Sequence, residues 1–400
     1  MLIGIVGKTN TGKSTLFKAL TLVDVEISNR VFTTIKPNHA VGFVKANCPE
    51  EKAKTRCKPN HGYCKEGVRF IPVELLDVAG LVPGAHEGKG LGNQFLDDLR
   101  QADAFIHVID ISGSTNENGE PVEKGSYDPA NDVRFLEEEI GYWFFGLMKK
   151  NWAKFSKEVE MQKRELIDSL AKQFSGLKIT ESQIKKALEV TSLPKDTPAQ
   201  WSDEDLRKFA FELRKLSKRM IIAANKIDVP GSEKNLEKLR KESPEYIIIP
   251  CSAESELALK EADKHSLVKY VPGKREFEIL KAEKLNEKQK HALNFIKNNV
   301  LEKHKSTGVQ ECLDKAVFDL LDYIVVYPVA NVNKLTDKKG NVLPDAILVE
   351  KGTKLKEFAG KVHTEMADKF IGGIDFETRR KLGADHEVKD GDIVEIVFGK

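Results

Sequence analysis

Cysteine is scarce, with 5 in 400 residues. That is too few for a disulfide scaffold and fits a reducing compartment. Neither sign of charge is in excess. Lys+Arg 64 against Asp+Glu 62 leaves a formal net charge of +2, so bulk charge makes no case for a nucleic-acid or membrane partner. No apolar run approaches the roughly 20 residues that a membrane-spanning helix needs. The first residues lack a basic segment followed by an apolar one, so no signal peptide is expected. What is present is length and charge. With 400 residues, 32% of them charged, the chain can build two or three domains and a sizeable core, in the manner of a cytosolic protein.

The first motif starts six residues in. Gly7-Lys8-Thr9-Asn10-Thr11-Gly12-Lys13-Ser14 fits the phosphate-loop pattern G-x-x-x-x-G-K-[ST]. Gly7 and Gly12 permit backbone angles that a Cβ disfavours, so the loop amides can converge on phosphate oxygens. Lys13 offers a point charge to the β/γ-phosphates and Ser14 a hydroxyl to Mg²⁺. Thr15 follows in the same turn. Leu2, Ile3, Ile5 and Val6 read as a buried strand before the loop, and residues 14–20 as a helix whose N-terminus faces the anion.

A second apolar run, residues 68–78, delivers Asp77 to the carboxyl end of a strand, where such sheets bind ligands. Asp77 can hold Mg²⁺ through water, and the Gly80 amide can approach a γ-phosphate. Between these motifs lies Phe32-Thr33-Thr34-Ile35, where a loop threonine, Thr34 in preference to Thr33, would complete the Mg²⁺ shell when γ-phosphate is present. A third strand, residues 220–224, ends in Asn225-Lys226-Ile227-Asp228. In N-K-x-D the Asp228 carboxylate accepts from guanine N1–H and the exocyclic amine. Adenine would leave that carboxylate unpaired, costing roughly 1–3 kcal/mol. Residues 247–250 lead to Cys251-Ser252-Ala253-Glu254, where a backbone amide around Ser252 and Ala253 can meet guanine O6. Four motifs in order, each after a strand, imply guanine-nucleotide binding.

The stretch 77–96, DVAGLVPGAHEGKGLGNQFL, resembles the glycine-rich second switch of the Obg-type GTPases, and nearly the whole chain resembles their YchF-like branch in an archaeal-looking form. The resemblance implies an α/β fold: a P-loop GTPase domain with a mostly parallel sheet. YchF proteins that prefer ATP have a degraded base-reading motif; here Asn225 to Asp228 is intact, which favours GTP. Arg30-Val31 stands where the family has an aromatic-Pro pair. Leu81 follows Gly80 where Ras-like proteins carry the glutamine that orients water, so slow intrinsic turnover is expected. Related GTPases with this replacement use a P-loop asparagine to hold K⁺ beside the phosphates, which marks Asn10. Its alternative role is to stabilise the loop turn. Arg30 as an in-cis finger and His86 as a water-positioning group are weaker candidates.

Three further regions stand out. Cys48, Cys57, His61 and Cys64 lie in one loop and suit Zn²⁺ in ligand type, against reduced cysteines in a solvated loop. Residues 45–69 hold 7 Lys/Arg and 3 Asp/Glu, 7 − 3 = +4, so an RNA contact is weighed against a solvated loop. Residues 133–217 read as an inserted helical subdomain, with helical spacing at 158–174, 184–190 and 206–216, and aromatics such as Trp143, Phe144 and Trp152 as its core, against a partner-docking face. Residues 276–302 read as mostly helical and 309–321 as a helix. The domain expectation is 1–320 for the GTPase domain and 321–400 for a β-grasp module resembling TGS domains, with strands at 323–329 and 346–349, a helix at 355–370 and a turn plus closing strand at 390–398. TGS modules usually contact RNA or ribosomal partners. The charge from 321 to 400, 13 − 14 = −1, adds no support of its own.

These observations imply a Mg²⁺-dependent GTPase switch binding GTP/GDP in the cytoplasm, with a ribosome or RNA–protein complex as partner by family analogy and no membrane. The alternatives are a P-loop ATPase or metabolic nucleotide hydrolase, and a metal- or redox-responsive adaptor in which nucleotide is structural.

Overall fold

The computed structural model describes residues 1–22, 38–78, 80, 84, 98 and 100–399. A seven-stranded sheet is ordered β2-β4-β1-β5-β6-β7, with β3 also on β4. Its strands are β1 Leu2–Val6, β2 His39–Asn47, β3 Tyr63–Lys65, β4 Val68–Asp77, β5 Ala104–Asp110, β6 Met220–Asn225 and β7 Ile248–Pro250. β4, β1, β5, β6 and β7 run parallel, while β2 and β3 pair with β4 antiparallel. The central strands are apolar on both faces because helices cover both. Alternation sorts the side chains. Leu2, Val6, Phe105 and Met220 face a core built with Leu136, Trp143 and Phe144. Ile3, Ile5, Ile106 and Ile221 face another, built with Leu16, Val309 and Leu313.

Between β5 and β6 the chain forms helices Ala130–Met161, Leu166–Gln173, Glu181–Thr191 and Asp203–Ser217. Capping boxes at Thr180/Gln183 and Ser202/Asp205 set the starts of the last two. Trp152 stacks on Trp201, with ring centroids 5.0 Å apart. The periodicity over 158–174 predicts one helix. The structure breaks it between Met161 and Leu166, where Lys163 takes a left-handed φ of 48°.

The C-terminal sheet is ordered β11-β10-β14-β12-β13. Its strands are β10 Tyr323–Val329, β11 Ile347–Glu350, β12 Phe370–Asp375, β13 Lys381–Leu382 and β14 Ile393–Phe398. Val326, Val394, Leu355 and Phe358 share its core with the helix Leu355–Val362. The expected helix over 355–370 is therefore shorter. It ends at Val362, a short helix Thr364–Asp368 follows, and Phe370 opens β12, whose Gly372 and Gly373 weaken the local strand signal. Residues 276–302 also begin differently from expectation. β8 Val268–Tyr270 and β9 Phe277–Ile279 form a hairpin before the helix Glu287–Ile296.

The two sheets meet at one edge. Arg69 of β4 is fully buried and donates to the carbonyls of Leu343 (3.1 Å) and Pro344 (2.8 Å). The Tyr327 hydroxyl donates to Asn47 O at 3.2 Å.

Candidate functional site

Gly7 to Ser14 lies at the carboxyl end of β1, opening the helix Lys13–Thr21. Gly12 has φ 92°, and a Cβ there would lie 2.2 Å from Asn225 Nδ2, so only glycine fits. That nearness reflects a bond: Asn225 Nδ2 donates to Thr11 O at 2.8 Å, while its Oδ1 accepts from Ala253 N at 3.0 Å. One buried side chain thus ties the phosphate loop to the loop expected to read guanine. The Ser252 amide donates to Thr307 O, which braces that loop from residues 306–308. Asp228 is half-buried beyond β6.

Lys13 Nζ donates to Asp77 Oδ1 at 2.9 Å and to Val78 O at 2.8 Å, joining the ends of β1 and β4. Ser14 is exposed and Thr15 half-buried in the first helical turn. Gly80 lies beside the loop; a Cβ built on it falls 3.4 Å from Thr9 Cγ2. Thr34, together with Arg30, Leu81 and His86, lies outside the described residues.

The loop after β5 supplies residues that the motif search missed. Asp110 ends that strand and accepts from Ser112 N (3.0 Å), Ser114 Oγ (2.9 Å), Thr115 Oγ1 and Lys226 Nζ (2.9 Å). Burial opposes its ionisation, yet the bonds from Ser112, Thr115 and Lys226 hold it below the usual carboxylate range. The loop then crosses the phosphate loop. Asn10 Nδ2 donates to Gly119 O at 2.8 Å, and Lys8 Nζ donates to Thr115 O at 2.9 Å. Lys8 is buried and pairs with Asp132 Oδ1 at 2.8 Å, which also accepts from the Tyr127 hydroxyl. Burial raises Asp132 despite Lys8. Burial, with Lys8 nearby, lowers His107 to about 3, so that ring is neutral. The available signal was an aspartate ending a parallel strand ahead of Ser112-Gly113-Ser114-Thr115.

Cys48, Glu50, Cys57 and Cys64 form a second group, each offering a ligand atom within 4.8 Å of the others. Glu50 stands where His61 was expected; His61 is exposed and not in the group. All three cysteines are free thiols. Contacts with Cys57 and Cys64 pull the Cys48 thiol well below its ordinary range, while contacts with Cys48 and Cys57 push Cys64 up.

Three family descriptions match in sequence order. Residues 2–136 match the 50S ribosome-binding GTPases, 223–331 the G4 motif-containing domain of Obg-like YGR210-like GTPases, and 336–398 the TGS domain. A GTP-binding protein of Methanocaldococcus jannaschii is 51% identical over 396 residues, 99% of this chain and 98% of that protein. The chain belongs to the Obg-like, YchF-type GTPases. A GTP-binding protein from Pyrococcus horikoshii has a solved structure similar to this one, with TM-score 0.80, 37% identity and full coverage of both chains. The ribosome-binding ATPase YchF of Bacillus subtilis is 29% identical over 277 residues, 66% of this chain and 69% of that protein. As a YchF-type GTPase the chain binds and hydrolyses GTP, an activity that typically uses Mg²⁺. No described helix is long and apolar enough to cross a membrane.

Proposed function

We propose that this chain is a cytoplasmic GTP-driven switch that docks on the ribosome, or a related RNA–protein complex, in its GTP state. The division of labour would be residues 1–320 for the nucleotide, with 133–217 as a helical insert, and 321–400 for a partner. The carrying observation is Asn225, whose bonds to Thr11 O and to Ala253 N couple base reading to phosphate binding. The names of the matched ribosome-binding GTPase family and of the Bacillus relative support the partner.

In this reading Gly7 to Ser14 cradle the phosphates with Thr15, and Asn225, Lys226, Asp228, Ser252 and Ala253 surround guanine. Lys13 Nζ lies 2.9 Å from Asp77 Oδ1, which puts the phosphate-binding lysine beside the carboxylate that would face Mg²⁺. Ser14, Thr34 and Asp77 would hold that ion, which neutralises phosphate charge when bound. Lys13 offers charge to the β/γ-bridge as water attacks the γ-phosphate; Thr34, as a ligand to Mg²⁺, and the Gly80 amide would report the presence of that phosphate. GTP should displace a fluorescent GDP from the full chain at least tenfold more effectively than ATP; equal displacement would return the reading to an ATPase. Ribosome co-sedimentation should be stronger with a non-hydrolysable GTP analogue than with GDP, and equal pelleting would remove the switch.

Asn10 fits a K⁺ ligand. Its amide nitrogen donates to Gly119 O at 2.8 Å, which leaves the carboxamide oxygen as the atom that would meet the ion. Turnover should be several-fold faster in K⁺ than in Na⁺, and Asn10→Ala should abolish the difference; equal rates in the two salts would end the assignment.

A further inference from the structure

We propose that Cys48, Cys57, Cys64 and Glu50 bind one Zn²⁺, which fastens the GTPase domain to the TGS domain. The four donors are gathered as a tetrahedral site requires. With Zn–S near 2.3 Å, ligand atoms at the corners of a tetrahedron lie about 3.8 Å apart. Here Cys48 and Cys57 Sγ are 3.5 Å apart, Cys64 Sγ and Glu50 Oε1 3.8 Å, and all four within 4.8 Å. A disulfide would need about 2.05 Å between sulfurs, so the group is open and reduced.

The surroundings hold these donors in place. Glu50 Oε2 accepts from the Cys57 amide at 3.3 Å, orienting the carboxylate with Oε1 toward Cys64. The Cys48 amide is fixed on Gly67 O at 2.8 Å. Gly62, at φ 71°, packs so tightly that a Cβ would lie 2.0 Å from Phe70 O, which brings Cys64 back along β4. Three thiolates and a soft tetrahedral geometry select zinc over Mg²⁺ or Ca²⁺. Binding sends three thiol protons to solvent and leaves a −2 first sphere, since +2 − 3 − 1 = −2. Lys54, Arg56 and Lys58 in the same loop place positive charge near it in sequence, whereas Lys52 and Lys65 pair with Glu377 and Asp263.

The site is remote from the nucleotide. β2 and β4 pair antiparallel from His39 opposite Leu76 to Asn47 opposite Val68, so Cys48 lies at the end of β4 away from Asp77. The 10 residues of β4 separate the two ends by about 30 Å. The metal therefore has no part in phosphate chemistry. What it grips is the loop that meets the TGS domain: the Lys58 amide donates to Val342 O at 2.8 Å and the Asn60 amide to Pro344 O at 2.9 Å. Lys58 follows Cys57 directly, and Asn60 lies between Cys57 and Cys64. Fixing those two ligands fixes the donors between them.

The full chain, made without a polyhistidine tag and kept reduced, should carry one zinc by plasma mass spectrometry. Cys48→Ser and Cys57→Ser should lose it, and His61→Ala should retain it. Metal-stripped wild type titrated with Co²⁺ alone should show thiolate charge-transfer and tetrahedral visible bands, a readout independent of whether any variant folds. Glu50→Gln should weaken Co²⁺ binding about tenfold or more. On stripping, the Lys58 and Asn60 amides should exchange hydrogen at least tenfold faster, with residues 220–225 unchanged. Absent zinc together with no Co²⁺ bands, or a Cys48–Cys57 disulfide in freshly purified protein, would overturn the site. Unchanged exchange at Lys58 and Asn60 would overturn the fastening.

Discussion

Asn225 is 3% exposed and spends both ends of its carboxamide on backbone. Alanine would orphan Thr11 O and the Ala253 amide, each costing roughly 1–3 kcal/mol where buried. GTP affinity should therefore fall roughly tenfold to a hundredfold for Asn225→Ala by calorimetric titration. A dissociation constant within twofold of wild type would show that the two loops hold their places unaided. Asp132 poses the complementary case. Its side chain and that of Lys8 are 4% and 3% exposed, so the pair is fully desolvated. Removing the carboxylate strands a buried ammonium, and Asp132→Ala should destabilise the domain by about 3–5 kcal/mol. The double variant with Lys8→Met should recover most of that in denaturant melts; if it recovers none, Tyr127 packing and not charge explains the loss. The motif residues were readable because each motif is contiguous. Lys8–Asp132 was not, since its partners are 124 positions apart and no local pattern links them.

The elements that matter most to the site were legible from apolar runs and turn chemistry. β1, β4, β5 and β6 are short, doubly buried strands, each followed by a motif. β2 carries no motif and emerges only from its pairing. It is an edge strand, and the structure covers its free groups with the helix Val309–Lys315. Gln310 donates to Phe43 O at 2.8 Å, and Asp314 Oδ1 accepts from Lys45 N at 3.0 Å. Burial pushes Asp314 up to about 7 despite those bonds. The folded state then holds a proton that the unfolded chain releases near its ordinary carboxylate value. Its stabilising effect is full below that value and is lost as pH rises toward 7, at up to about 1.4 kcal/mol per pH unit for one proton. Wild type should lose stability between pH 5 and 7, while Asp314→Asn should show a flatter profile. Parallel thermal melts of the two across that window check it, and identical slopes would place the titration elsewhere.

Across the whole molecule, the TGS domain sits on the edge of the nucleotide-binding sheet, at the end away from the phosphates. Composition and periodicity identified a change of character near residue 321. They could not show where the second sheet lands, because that depends on pairs such as Arg69 with Leu343 and Pro344, separated by 274 and 275 positions. A fully buried arginine on a strand reads locally as an exposed residue. It is instead a two-pronged donor holding two carbonyls across the domain boundary. Arg69→Met keeps much of the volume but removes both bonds; Pro344 O retains the Asn60 amide, while Leu343 O loses its arginine donor at roughly 1–3 kcal/mol. Docking is weakened without touching the phosphate loop, since Arg69 lies beside Val68 at the far end of β4. Calorimetry of Arg69→Met should therefore resolve an earlier transition for the C-terminal domain, and proteolysis should cut first in residues 330–346. GTP affinity should stay within twofold of wild type. A single unshifted transition would mean that the hairpin contacts alone hold the domains together, whereas a large loss of GTP binding would mean that the far edge of the sheet communicates with the nucleotide.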